Sequence, residues 1–449
     1  MSSRETANVL WFNELHREDV NLVGGKSSSL GEMTSSMDVP VPYGFATTAR
    51  AYRYFMAETG LNDKVNALLD GIKDYENSDE LHHACEQIRN LIVNATMPDD
   101  LAQDIKTSYA DLADKMGQKD PFVAIRSSAT AEDLPDASFA GQQESYLNIK
   151  GADDVTDRVQ ECYSSLFTDR ATYYRHKQNF PYEKVALSAA IQMMVFSKAS
   201  GVMFSVNVAN GDDTKIVIDG IYGLGEYIVL GKVTPDHFVV DKDSMKIVEK
   251  NIIKQPIELM RQPDGGTVEK EVPADLQDQP VLTDDQVIEL AGYVKKIEQH
   301  YGCYMDMEYA LDTNTNRLWI VQARPETVWS QRNKQKKADA EEDANVVSEG
   351  DAQVAVRGLP ASPGLASGVV HVIDSPKDID QFKAGEVLVT LMTSPDWVPA
   401  MKKAAAIVTN FGGMTCHAAI VSREMQIPCI VGTKSQHVAA TDALKTGDV

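Results

Sequence analysis

The residue best placed to do chemistry is His417, in the run Gly412–Glu424 that reads GGMTCHAAIVSRE. Two glycines allow a tight turn, and the residues after them read as the opening of a helix. His417 would then stand near a helix amino terminus, where free N–H groups and the helix dipole favour an anionic phosphoryl group. Neutral imidazole is a nucleophile near neutral pH and can carry a phosphoryl group covalently. Metal ligation fits less well, because no second His or Cys stands at helical ligand spacing.

Three further segments carry residue types suited to phosphate. Val23–Ser27 reads VGGKS, but the P-loop pattern needs glycine at position 20, where Val20 stands. A Gly-Gly-Lys turn before a helix can still bring backbone N–H groups and the Lys26 ammonium to phosphate oxygens; alone, it is equally an exposed turn lysine. In Val123–Pro135 (VAIRSSATAEDLP) a buried strand delivers Arg126, and Ser138–Ser145 (SFAGQQES) is small and flexible enough to fold over a nucleotide. A guanidinium there suits bidentate phosphate recognition, and an ordinary strand-end ion pair suits it as well. The third segment is Met305–Tyr309 (MDMEY), a turn through Asp312–Asn316, then Leu318–Pro325 (LWIVQARP). It reads as a hairpin carrying Asp306, Glu308, Gln322 and Arg324. Asp306 and Glu308 alternate by two and so share a strand face. Such oxygen ligands hold Mg²⁺, which normally shares its shell with nucleotide phosphates, although alternating acids also occur on any solvated strand.

Positioning these groups takes more than one domain, and 449 residues suffice for two or three. Hydrophobic residues are 43% and charged residues 24%, ordinary globular usage. The net charge of -23 argues against nucleic acid as a partner, while a few Lys and Arg can still reverse the sign locally at a nucleotide site. The five cysteines form no C-x-x-C pair, which fits a reducing cytosol. No signal-peptide or membrane-helix run stands out, so a cytoplasmic protein without membrane contact is expected. The segment 331–353 is densely charged with few large apolar residues and reads as a tether. Before it, Ser27–Lys119 looks mainly helical, and strands are expected at Val185–Ser188, Lys215–Asp219 and Leu318–Gln322. After it, Gly368–Ile373, Val387–Thr390 and Ala406–Thr409 read as short strands between helices.

Together the segments are far more specific than any one of them, and they resemble the pyruvate-phosphate dikinase and phosphoenolpyruvate synthase family. The first part of the likeness runs from Val9–Leu15 (VLWFNEL) to Gln322–Val328 (QARPETV). The second runs from Gly358–Gly368 through Thr393–Trp397 to Ile427–Gly432. The resemblance implies an α/β and α+β multidomain fold: an ATP-grasp nucleotide-binding domain over 1–330 with a helical amino-terminal subdomain, a charged linker over 331–353, and a smaller swivelling α/β phosphohistidine domain over 354–449. It implies that Lys26 and Arg126 hold ATP phosphates, that Gly141 and Ser145 lie in a mobile loop over them, and that Gln192 lies in the adenine hinge. Glu308 and Gln322 would ligate Mg²⁺ with Asp306 in support, and Arg324 would stand beside the transferring phosphoryl group. Thr415 corresponds to the threonine that a regulatory kinase phosphorylates in synthases; physically it also suits a helix cap.

By the same resemblance, His417 attacks the β-phosphorus of ATP, AMP leaves, and water removes the terminal phosphate to leave phosphohistidine for pyruvate on a barrel domain outside this chain. Thr-Cys-His is nearer the water-using synthases, whereas Met414 leans towards the phosphate-using dikinases. Alternatives are a phosphotransferase subunit with another acceptor, as in phenol-type systems, or a non-catalytic phosphocarrier. Rifamycin-type enzymes would insert an acceptor domain for which the chain has no room.

Overall fold

The computed structural model describes residues 3–75, 77–130, 133–134, 137–138, 145–177, 180–262, 264–326, 329–330, 354–414, 416–436 and 438–448. Gly141, Thr415 and the segment 331–353 lie outside the described residues. The chain forms two compact units of mixed α/β structure. One comprises Met1–Val195, Arg261–Thr267 and Trp319–Arg324; the other comprises Phe196–Met260, Val268–Leu318 and Pro325–Val449.

In the first unit the strands are β1 (Val9–Trp11), β2 (Gly44–Thr47), β3 (Val123–Ala129), the short pair β4 (Asp133–Leu134) and β5 (Ala137–Ser138), β6 (Ser145–Ile149) and β7 (Leu187–Met193). Five of them build a sheet in the order β1-β2-β7-β3-β6, with every neighbouring pair antiparallel. The helices that pack with it are amphipathic: Ile88 and Ile92 on Ser78–Val93, and Leu101, Ile105, Tyr109 and Leu112 on Asp99–Met116, recur at three- and four-residue spacing. They share one core with Phe45, Val123, Ile125, Leu187 and Ile191 from the strands. The Asn77 side chain accepts from the N–H groups of Asp79 and Glu80, and Thr48 accepts from Ala51, so two helix starts are capped as their residue types predict.

The expected helical stretch Ser27–Lys119 is interrupted by β2. Its four residues are all buried, so the alternation that marks a half-exposed strand is missing there. β7 starts at Leu187 rather than Val185, because Val185 closes a 3₁₀ turn by donating its N–H to the Tyr182 carbonyl at 2.9 Å.

The second unit holds β8 (Ser197–Phe204), β9 (Lys215–Tyr222), β10 (Asp236–Asp241), β11 (Lys246–Asn251), the ribbon β12 (Ile257–Arg261) and β13 (Thr267–Glu271), and β14 (Met305–Asp312). Strands β11-β10-β9-β8-β14 lie side by side, all antiparallel. Helix Asp284–Tyr301 buries Val287, Leu290, Ala291, Val294 and Ile297, and starts at a Thr283–Gln286 capping box. After β14 comes the expected Asp312 turn and then β15 (Leu318–Pro325), whose residues 319–324 belong to the first unit.

The remaining strands are β16 (Leu359–Ser362), β17 (Val370–Val372), β18 (Val387–Thr390), β19 (Ala406–Thr409) and β20 (Cys429–Val431). Their sheet has the order β16-β20-β19-β18-β17; β17 through β20 are parallel and β16 is antiparallel to β20. β18 and β19 match the expected ranges, while β17 is shorter than the expected Gly368–Ile373. Among the described residues, no helix is long and apolar enough to cross a membrane.

Candidate active site

His417 begins the helix His417–Met425, which links β19 to β20. It therefore stands beyond the carboxyl end of a parallel strand, the edge at which open α/β sheets place their ligands. The neighbouring strand β18 runs the same way and leads to Thr393. Past the strand ends the two loops stay in register: Asn410 donates its N–H to the Thr390 carbonyl at 3.1 Å, and Phe411 to that of Leu391 at 3.0 Å. Thr393, itself buried, thus meets His417, with its Oγ1 2.9 Å from the imidazole Nδ1. Asn410 braces the turn from behind, its amide bonding both the Thr441 hydroxyl and the Thr441 N–H.

The N-cap position of this helix is Cys416, with extended backbone (φ -67°, ψ 164°). Its thiol is buried, and burial raises its pKa, as burial pushes that of Cys429 up to about 12. A thiol held protonated is a poor nucleophile. Arg423, farther along the helix, is also buried and donates to the Ala361 carbonyl at 3.1 Å. Burial lowers its pKa, while Cys416 and the carboxylates of Glu326 and Asp306 act in the opposite sense.

In the first unit, a second group of side chains gathers on one face of the sheet. Gln192 on β7 lies opposite Ala124 on β3, and Arg126, two residues on, lies opposite Ser145 on β6. Cross-strand partners and alternate residues share a face, so Gln192, Arg126 and Ser145 project together. Lys26 donates to the Ser127 carbonyl at 3.0 Å, and Arg126 Nη1 donates to Gln322 Oε1 at 3.2 Å. Lys26, Arg126 and Gln322 are thereby linked, with Arg324 two residues farther along β15. Ser29 fixes that strand by donating its hydroxyl to the Ala323 carbonyl at 2.7 Å. The Gln192 side chain is buried, and its Nε2 has no partner among the described residues.

The Lys26 turn depends on Gly24, which has φ +73°. A Cβ there would fall 2.2 Å from the Ser128 carbonyl oxygen. Ser128 also clasps the turn through its hydroxyl, donating to the Val23 carbonyl at 2.8 Å and accepting from the Ser27 N–H at 3.0 Å.

In the second unit, Asp306 and Glu308 are half-buried between the buried Met305, Met307 and Tyr309, on one face of β14 as their alternation predicts. No group of three or more His, Cys, Asp or Glu side chains that could hold a metal unaided occurs among the described residues. A carboxylate such as that of Glu308 is a hard oxygen donor, a type that suits Mg²⁺ where nucleotide phosphates supply the rest of the shell.

Sequence reasoning assigned no role to Thr393 or Ser128. Thr393 opens the segment Thr393–Trp397, and its signal is a hydroxyl just past the end of a short parallel strand. Ser128 had none, since its contacts reach a glycine more than a hundred positions away.

The chain belongs to the pyruvate phosphate dikinase family. Residues 20–345 match the family described as pyruvate phosphate dikinase, AMP/ATP-binding domain, and residues 382–448 match the PEP-utilising enzyme, mobile domain. Over 98% of its length the chain is 45% identical to the phosphoenolpyruvate synthase of Pyrococcus furiosus, of which it covers 57%. It is also 45% identical, over 99% of its length, to a Staphylothermus marinus protein named probable phosphoenolpyruvate synthase, of which it covers 56%. The chain thus spans little more than half the length of these curated relatives.

Proposed function

We propose that this chain is the nucleotide-and-histidine portion of a phosphoenolpyruvate synthase, loading His417 from ATP for transfer to pyruvate. The observation that carries the reading is His417 at the first position of its helix with Nδ1 held by Thr393. In this reading 1–330 is an ATP-grasp domain, 331–353 a linker, and 354–449 a swivelling histidine domain that travels between two sites.

The step begins with ATP held by Lys26, Arg126 and Arg324, with Gln192 beside the adenine and Ser145 and Gly141 over the phosphates. Nδ1–H donates to Thr393, so the Nε2 lone pair attacks the β-phosphorus. The bond from that phosphorus to the α–β bridging oxygen breaks, and AMP leaves with the electron pair. Mg²⁺ held by Glu308 and Gln322, with Asp306 in support, would neutralise phosphate charge. Phosphoryl transfer is mostly positioning and charge stabilisation, which the cationic set supplies. Water then cleaves the β–γ linkage, releasing phosphate and leaving phosphohistidine. Thr415 is the proposed target of a regulatory kinase, where added negative charge would oppose a phosphoryl group on the neighbouring histidine.

ATP labelled separately at the β and γ positions tests the reading. Acid-labile β label on His417, with AMP release, is expected, and it should vanish in His417→Ala. Loss of the γ label as free phosphate would separate the water-using from the phosphate-using branch. Label from the γ position alone, or none, would put a phosphocarrier or a subunit with another acceptor in its place.

A further inference from the structure

A largely buried connection joins β9 to β10. It runs through the short helix Glu226–Val229 to Gly231, Lys232, Val233, Thr234 and Pro235; all five except Lys232 are buried. Gly231 has φ +68°, and a Cβ on it would lie 3.2 Å from both the Cys416 Cβ and the Gly412 Cα. A Cβ on Gly413 would lie 2.8 Å from Pro235 Cδ and 2.9 Å from Pro235 Cγ. At two points, then, a glycine lies close against the opposite side: Gly231 against Gly412 and the Cys416 Cβ, and Gly413 of the turn against the Pro235 ring. Interiors are close-packed, so an added methyl at such a seam must move one side or the other.

We infer that Gly231–Pro235 is a docking pad for the histidine turn, and that its contacts with Gly412, Gly413 and Cys416 set where His417 stands when it is loaded. The inference rests on the function proposed above. Its physical content is that a glycine on one side of each contact lets the other side, the Gly412 backbone and Cys416 Cβ or the Pro235 ring, approach closely. Such a seam fixes position while docked, and its glycine side has no side chain to withdraw when the histidine moves away. Arg423, on the helix that the turn begins, adds a charge that Glu326 and Asp306 favour.

Two measurements on the full chain test it. Gly413 does not have positive φ, so Gly413→Ala is tolerable in its own backbone, and its methyl collides with Pro235 alone. Histidine labelling by ATP is expected to slow at least tenfold in Gly413→Ala. Adding Pro235→Ala, which deletes the two colliding carbons, should restore most of that rate, a coupling that general misfolding would not produce. Labelling of Gly413→Ala at the parent rate, or a double variant as slow as the single one, would overturn the pad.

The second measurement does not depend on activity. The thiol introduced by Gly231→Cys would face Cys416, with Cβ atoms slightly nearer than the usual disulfide separation of about 3.5–4.5 Å. Mild oxidation should yield a 231–416 disulfide, mapped by peptide mass spectrometry against the four other cysteines. Absence of that crosslink overturns the contact. If the crosslink forms while the parent takes up no label, the pad stands and the proposed reaction fails.

Discussion

The Thr393 hydroxyl lies 2.9 Å from Nδ1 of His417, although 24 positions separate the two residues. The contact is made because β18 and β19 are parallel neighbours and both loops leave from the same sheet edge. If Nδ1–H donates to this hydroxyl, the ring is fixed in the tautomer whose lone pair sits on Nε2. Thr393→Val keeps the shape and removes the acceptor. One net hydrogen bond is worth about 1 kcal/mol, so histidine labelling should slow roughly five- to tenfold. Thr393→Ser should stay near the parent. Nitrogen NMR of the imidazole would show the tautomer mixture shifting in the valine variant and holding in the serine one.

Arg126 and Gln322 form a link that joins β3 to β15. Arg126→Lys keeps the charge but loses the planar fork. Weaker ATP binding and at least tenfold slower labelling are expected, with a thermal midpoint close to the parent. Gln322→Ala should weaken Mg²⁺-dependent nucleotide binding more than binding measured without the ion. Equal losses with and without Mg²⁺ would confine Gln322 to holding Arg126.

Asp236 offers a pH signature unrelated to the chemistry. Burial raises its pKa from 3.8 to about 6, against the pull of the Ile253 and Val281 N–H groups, each donating at 2.9 Å. The folded state therefore holds this proton more tightly than the unfolded chain does. Stability from this group is present below pH 3.8 and is lost as pH rises to about 6, by on the order of 3 kcal/mol. Asp236→Asn cannot titrate, so urea denaturation across pH 4–6 should lose that slope. The variant should also be weaker at pH 5, because an amide has one acceptor oxygen for two N–H donors and leaving one unmet costs about 1–3 kcal/mol.

How much of this was legible beforehand depends on the range of the interaction. β18 and β19 were readable because short runs of β-branched residues between breakers announce themselves locally. The shared face of Asp306 and Glu308 follows from a spacing of two. β2 was hidden because Gly44–Thr47 is buried on both faces and shows no alternation. The bond of Lys26 to the Ser127 carbonyl and that of Thr393 to His417 join residues distant in sequence. Only the sheet order brings them together, and composition and periodicity do not encode sheet order.

Gly24 shows how a backbone position can govern a charged one. Its φ of +73° is open to glycine and costs other L-residues about 1–2 kcal/mol. The larger obstacle is the Ser128 carbonyl oxygen, 2.2 Å from where a Cβ would sit. Gly24→Ala must therefore push the turn off β3 and carry Lys26, two residues on, away from the Ser127 carbonyl. A loss of ATP affinity of at least tenfold is expected by titration calorimetry, together with a lowered thermal midpoint. Adding Ser128→Ala should not rescue it, because the space is filled by the backbone oxygen as well as the hydroxyl. Recovery of ATP binding in that double variant would mean the hydroxyl alone sets the turn.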